Sequence, residues 1–307
     1  MQNGDYTGHG SRSYVATQEV ADIVNLAILL ERPILVEGEP GCGKTMLAYS
    51  IAEELGLGMP EKISVKSTSR AQDLLYHVNA LARLQDAQTP GNANAQYLYP
   101  YLTLGRLGSS IHKKQRSVVL IDEIDKADID FPNDLLDVLD TFTFNIPELP
   151  EDEEEMCLEK RGFGRTVVGD PQQRPIVVIT SNREKRLPEP FLRRCLYIRL
   201  KFPDSAAELS TIVRLNTGLG EEELNQDVLK AASEAFLKIR KIGQGQVQKL
   251  PSTSEAIDWV KILHWKGVTT ESLLEQPYLP PYWNLLFKTM SDLDSYPTVA
   301  RAREAKP

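Results

Sequence analysis

Eight consecutive residues, Gly38-Glu39-Pro40-Gly41-Cys42-Gly43-Lys44-Thr45, follow the pattern G-x-x-x-x-G-K-[ST]. That spacing suits the holding of phosphate. Its glycines permit backbone angles that a Cβ resists, so the main chain can turn sharply and aim several N–H groups at one point. Lys44 supplies a point positive charge for β- and γ-phosphates, and the Thr45 hydroxyl supplies a ligand for Mg²⁺. The phosphate-binding residues are therefore Glu39, Pro40, Gly41, Cys42, Gly43, Lys44, Thr45 and Met46, with Cys42 contributing its backbone. Two acids, Asp122 and Glu123, end an apolar run beginning at Ser117. Asp122 can hold Mg²⁺ directly or through water, and Glu123 stands where a carboxylate could orient and deprotonate an attacking water. Asp125 could be structural.

These groups need a scaffold that turns strand ends toward one edge. Arg32 to Glu37 reads as a short buried strand, and Met46 to Leu55 as a helix ended by Gly56. Further strands are expected at Lys62–Val65, at Ser117–Glu123, at Pro175–Thr180 and over the alternating Leu196, Ile198 and Leu200. Helical spacing recurs after Thr17, through Leu74 to Leu84, over Gly105–His112, and after Pro132. Strands alternating with helices predict an α/β sheet with phosphates at the carboxyl ends of the strands. Beyond Phe202-Pro203-Asp204 the pattern changes to helices over Ala206–Leu215, Asp227–Ile242 and Ser252–Trp265, the last opened by the capping box Ser252-Thr253-Ser254-Glu255. The expected division is a flexible arm over 1–13, an α/β core over 14–203, a helical lid over 204–290 and a loosely held tail over 291–307.

Bulk properties exclude several classes. With 41% hydrophobic and 25% charged residues the 307-residue chain is an ordinary globular one, and its net charge of −8 argues against broad nucleic-acid binding. No apolar run approaches a membrane span, and the polar start is not expected to be a signal peptide. Three cysteines without a C-x-x-C pair predict a reduced, cytoplasmic setting, and four scattered histidines predict no protein metal site. The acidic stretch Glu151-Asp152-Glu153-Glu154-Glu155 reads as a solvated loop, a partner-facing tip that its charge should keep from burial.

Val118-Val119-Leu120-Ile121-Asp122-Glu123-Ile124-Asp125, together with the phosphate loop, resembles the AAA+ ATPases. Ile179-Thr180-Ser181-Asn182 sits where that superfamily carries its sensor 1 residue, and Leu187-Pro188-Glu189-Pro190-Phe191-Leu192-Arg193-Arg194-Cys195 resembles its arginine-finger segment. The Gly-Glu-Pro-Gly opening of the loop, the Leu-Pro-Glu-Pro-Phe-Leu-Arg-Arg stretch, an insertion over about 83–104 and an excursion over about 143–169 are similar to the MoxR branch.

The resemblance implies an α/β P-loop core with a parallel five-stranded sheet, followed by a small all-helical lid. It implies ATP and Mg²⁺ as ligands, and a homo-oligomeric, hexameric ring with sites shared between subunits. The activity it implies is remodelling of a client, such as a protein with a von Willebrand factor A domain. Asn182 would position the attacking water or sense the γ-phosphate. Arg194, with Arg193 as its rival, would reach the neighbouring subunit's nucleotide, while Val15 and Ala16 would face adenine. One departure stands out. MoxR proteins commonly carry a sensor 2 arginine at the start of the third lid helix, where this chain has Ser252-Thr253-Ser254-Glu255; Lys249 and Lys261 are the nearby cations. A nucleotide switch with little turnover, a GTP-using defence component and a nucleic-acid motor are the competing readings, the last disfavoured by charge.

Overall fold

The computed structural model describes residues 5–11, 14–89, 93–219, 225–245, 247, 249–274, 280–289, 291–292 and 296. The chain groups into two compact units. One comprises Met1–Ser11, Ala16–Gly38 and Lys44–Arg199; the other comprises Arg12–Val15, Glu39–Gly43 and Leu200–Pro307.

In the first unit α1 (Gln18–Leu30) starts where the Thr17 hydroxyl accepts the Val20 N–H, and a left-handed Glu31 ends it before β1 (Ile34–Gly38). After the loop come α2 (Lys44–Glu54), β2 (Glu61–Ser64), α3 (Ala71–Leu75), β3 (Tyr76–Val78), α4 (Ala80–Ala87), β4 (Leu102–Leu104) and α5 (Arg106–His112). The second half runs through β5 (Val118–Asp122), α6 (Phe131–Asp134), α7 (Leu136–Thr141), β6 (Thr143–Asn145), α8 (Glu154–Arg161), β7 (Thr166–Val168), β8 (Ile176–Ser181), α9 (Glu189–Leu192) and β9 (Leu196–Leu200).

Five strands form the sheet, in the order β2-β5-β8-β1-β9, with β2–β5, β5–β8 and β8–β1 parallel. Every residue of β5 and β8 is buried, as continuous apolar runs covered on both faces require. The register Ser64↔Asp122 and Glu37↔Ser181 brings the ends of β2, β5, β8 and β1 to one edge. Because β1 lies beside β8, the phosphate loop leaves the sheet next to the strand that ends at Ser181.

Two antiparallel hairpins, β3–β4 and β6–β7, stand outside that sheet. They frame the expected insertion and excursion, with α4 between the strands of the first and α8 between those of the second. Residues 90–92 of the insertion lie outside the described ones. The acidic stretch departs from expectation. Glu153 is only 4% exposed, and its carboxylate accepts the N–H groups of Leu98 (2.6 Å) and Tyr99 (2.9 Å), so it ties the second hairpin's segment to the first. Main-chain donors replace the water that burial removes, which the charge-pattern reading omitted. Glu151 pairs with Arg165 and Glu154 accepts the Arg165 N–H, while Glu151, Asp152 and Glu155 remain exposed. Glu153→Ala should therefore destabilise this unit by about 2 kcal/mol by stranding the buried Leu98 donor and the half-buried Tyr99 donor. Asp152→Ser and Glu155→Ser should stay within about 0.5 kcal/mol. Urea unfolding checks the contrast, and equal effects would contradict it.

The arm expected over 1–13 is likewise corrected for residues 5–11. Tyr6 is 1% exposed, its hydroxyl shares a hydrogen bond with Ser50 (2.9 Å), and Asn25 bonds both ways with its backbone. Burial pushes the Tyr6 phenol up to about 12, with the Ser50 bond working the other way.

The second unit holds α10 (Ala206–Thr217), α11 (Gln226–Gly243), α12 (Thr253–Trp265) and α13 (Thr270–Leu274) around Leu209, Phe236, Trp259 and Leu263. Ser205 caps α10, Asn225 caps α11, and Ser252 with Glu255 forms the expected box on α12. In the expected tail, Tyr296 is buried with its ring 4.9 Å from that of Phe287; residues 297–307 lie outside the described ones. Among the described residues no helix is long and apolar enough to cross a membrane.

Candidate nucleotide site

Gly41 (φ +75°) and Gly43 (φ +92°) adopt the left-handed backbone that the glycines in the motif allow, and the Cys42 N–H closes a turn on the Glu39 carbonyl at 3.3 Å. Lys44, 7% exposed at the start of α2, donates from Nζ to the Gly38 carbonyl at 2.8 Å. Its ammonium is thus folded toward the loop that precedes it. Met46 is half-buried in the same first turn, and Cys42 is half-buried in the loop before it.

Thr45 Oγ1 donates to Asp122 Oδ1 at 3.1 Å. Thr180 Oγ1 donates to the same oxygen at 2.7 Å, and Lys62 Nζ lies 2.8 Å from Asp122 Oδ2. Burial works to raise the Asp122 pKa, but the bonds from Lys62, Thr180 and Thr45 outweigh it and hold the group below the usual carboxylate value. The hydroxyl of Thr45 and the carboxylate of Asp122 are hard oxygen donors of the kind Mg²⁺ takes. No cluster of three or more His, Cys, Asp or Glu among the described residues could hold a metal by itself. An ion between Thr45 and Asp122 would therefore draw its other ligands from phosphate and water.

Glu123 adopts φ 62°, ψ 50°, a left-handed conformation costing an ordinary residue about 1–2 kcal/mol. Thr180 holds it there by accepting the Glu123 N–H at 2.9 Å with the oxygen that also reaches Asp122. One threonine thus orients both acids. Asn182 Nδ2 donates to Glu123 Oε1 at 3.2 Å, and Lys126 Nζ lies 2.6 Å from Oε2. Asp125 has a structural part: its Oδ2 accepts the N–H groups of Asn182 (3.1 Å) and Glu184 (2.8 Å), fixing the loop after β8. Arg183, also left-handed, bonds to Glu37 and to the Tyr197 hydroxyl, which donates to Glu37 at 2.9 Å. The ends of β8 and β1 and the start of β9 are joined through this trio.

The structure thus gathers Thr45, Asp122, Glu123 and Asn182, with Lys44 adjoining Thr45 in α2. The hydrogen bonds of the two arginines go to other residues. Arg194 Nε donates to Asp140 Oδ2 at 2.5 Å and its guanidinium to the Pro190 carbonyl at 3.3 Å, while Arg193 pairs with Glu189 at 2.9 Å. Ala16 is buried with its N–H on the Gly8 carbonyl (2.9 Å), and Val15 is exposed. Five residues were not singled out from sequence: Lys62, Thr180, Lys126, Arg183 and Arg240. Thr180 was within reach, since strand register alone sets it opposite the acids.

Arg240, in the last turn of α11, is 9% exposed. Its Nη2 donates to Glu39 Oε2 at 2.6 Å, its Nη1 to the Pro251 carbonyl, and its guanidinium lies 3.5 Å from the centre of the Phe202 ring. Burial lowers its pKa, and Glu39 opposes that. Lys249 and Lys261, the sequence-based substitutes for the absent arginine, are not the cations that meet the phosphate turn among these contacts.

A parallel sheet, a glycine-rich turn leading from β1 to a helix, and paired acids at the end of β5, one strand beyond β8, define a P-loop nucleotide-binding core. A family model described as "ATPase family associated with various cellular activities (AAA)" matches residues 34–204, more than half of the 307-residue chain. The chain belongs to that AAA family. No curated protein matches it.

Proposed function

We propose that this chain is a MoxR-like AAA+ ATPase that hydrolyses ATP with Mg²⁺ to remodel or activate a partner protein, as a ring of identical subunits. The observation that carries the hydrolytic reading is Glu123, held in a left-handed turn beside Asp122 with Asn182 on its carboxylate. Glu123 would take the proton of the attacking water, and Asn182 would orient that water. Lys44 would neutralise phosphate oxygens. Mg²⁺, held by Thr45 and Asp122, would offset charge developing on the transferred phosphoryl group. Lys44→Ala should weaken ATP binding by about 3 kcal/mol, roughly a hundredfold, since a charge-assisted bond to phosphate is lost. Titration with a fluorescent nucleotide measures this, and unchanged affinity would contradict the reading.

Self-association is supported by α1, where Leu26, Leu29 and Leu30 stand exposed at i, i+3, i+4 spacing, and by Arg193 and Arg194 on the surface. A head-to-tail contact that closes makes a ring, hexameric by analogy with the MoxR branch. The two hairpins, with Leu81 and Leu84 exposed on α4, are the client-facing segments, and a von Willebrand factor A domain protein is the expected kind of partner. A cytoplasmic setting goes with this reading.

One observation favours a second reading, a nucleotide switch of low turnover: the Lys126 ammonium lies on the carboxylate of Glu123. Lys126→Met separates the two. If Lys126 restrains the base, its removal should raise phosphate release several-fold; if the pair only orients Glu123, release should fall.

A further inference from the structure

We propose that Arg240 is a positioning residue for the phosphate turn, acting through Glu39. This rests on the nucleotide reading of the loop. The turn is fastened to helical residues at two points. Arg240 Nη2 meets the Glu39 carboxylate at 2.6 Å, and the Thr253 hydroxyl at the start of α12 donates to the Gly41 carbonyl. Ser252 closes against the same glycine, where an added Cβ would come within 2.3 Å of the serine Cβ. Gly41 therefore cannot carry a side chain, and its carbonyl is turned toward α12.

The charges make the same case. A guanidinium 9% exposed needs its partners, and Arg240 has three: Glu39, the Pro251 carbonyl and the Phe202 ring. The Glu39 side chain is 59% exposed and needs no such partner to be stable. The pair thus serves the turn more than it serves Glu39. Arg240 also brings a positive charge to a carboxylate one residue into a loop built for anions. Without it, the turn loses one of its two anchors and must be ordered at the moment of binding.

The test compares ATP and ADP affinities of the full-length protein with Arg240→Gln, Arg240→Lys, Glu39→Gln, the Arg240→Gln/Glu39→Gln double variant and Leu263→Ala. Arg240→Gln should weaken both nucleotides about tenfold, within the coupling expected of contacting residues. Glu39→Gln should weaken them by a similar factor, because it removes the same anchor from the other side. The double variant should be no weaker than either single variant, and Arg240→Lys should lie between wild type and Arg240→Gln. Leu263→Ala, which opens a cavity in the helical core, should lower the melting temperature while the folded protein keeps its affinity within about twofold. Additive losses, wild-type affinity in both Arg240 variants, or an equal loss in Leu263→Ala would overturn the inference. If Arg240→Gln does not fold, Arg240→Lys and Glu39→Gln carry the comparison. A wild type that binds no nucleotide would overturn the nucleotide reading and this inference with it. A wild type that binds, beside Arg240 variants that bind equally well, would overturn this inference alone.

Discussion

Glu123→Gln should bind ATP as tightly as the wild type and release phosphate about a hundred- to ten-thousandfold more slowly, the range general-base catalysis spans. The amide keeps the size of the carboxylate and its place at φ 62°, because Thr180 holds the main chain rather than the side chain. Its oxygen can still accept from Asn182, but it cannot take a proton from water. The lost pair with Lys126 is about two-fifths exposed on both sides, so its removal should cost at most about 1 kcal/mol of stability. Single-turnover phosphate release beside equilibrium binding separates the two effects. Normal turnover in the glutamine variant would remove Glu123 from the role of base.

Arg194→Ala should bind nucleotide and lose about 10³–10⁵ in turnover, the effect of an arginine finger in comparable phosphoryl transfers. In this chain Arg194 is held at the surface by Asp140, each side chain 42% exposed. Truncation should therefore leave the fold intact. A finger acting in trans has a consequence that a local role lacks. In mixed rings of Arg194→Ala and Glu123→Gln chains, some sites combine an intact Glu123 from one chain with an intact Arg194 from its neighbour. Activity should then return in part. No recovery, in rings shown to contain both chains, would contradict the shared site, and Arg193→Ala tests the neighbouring arginine in the same way.

The fold was largely legible because its signals are local. The apolar runs that became β5 and β8, the phosphate-loop glycines and the capping box at Ser252 each report on neighbours a few residues away. Asp122, Glu123 and Asn182 come together as parallel register alone requires. What sequence did not carry was partnership at a distance. Glu153 sat in a run of acids that reads as solvated, and only Leu98 and Tyr99, more than fifty residues away, make its burial tolerable. Arg240 was one more cation in the last turn of an amphipathic helix, and its carboxylate lies 201 residues away. Tyr6 was read as part of a polar arm, although its ring and hydroxyl both have partners in the first unit.

The most direct measurement is phosphate release from ATP by the wild-type chain across a range of protein concentrations, with Mg²⁺ and with EDTA. Mg²⁺-dependent release is expected, rising per subunit as the concentration increases and the ring assembles, and abolished in Lys44→Ala. Tight ATP binding with no release at any concentration would contradict the ATPase assignment and leave the nucleotide switch in its place.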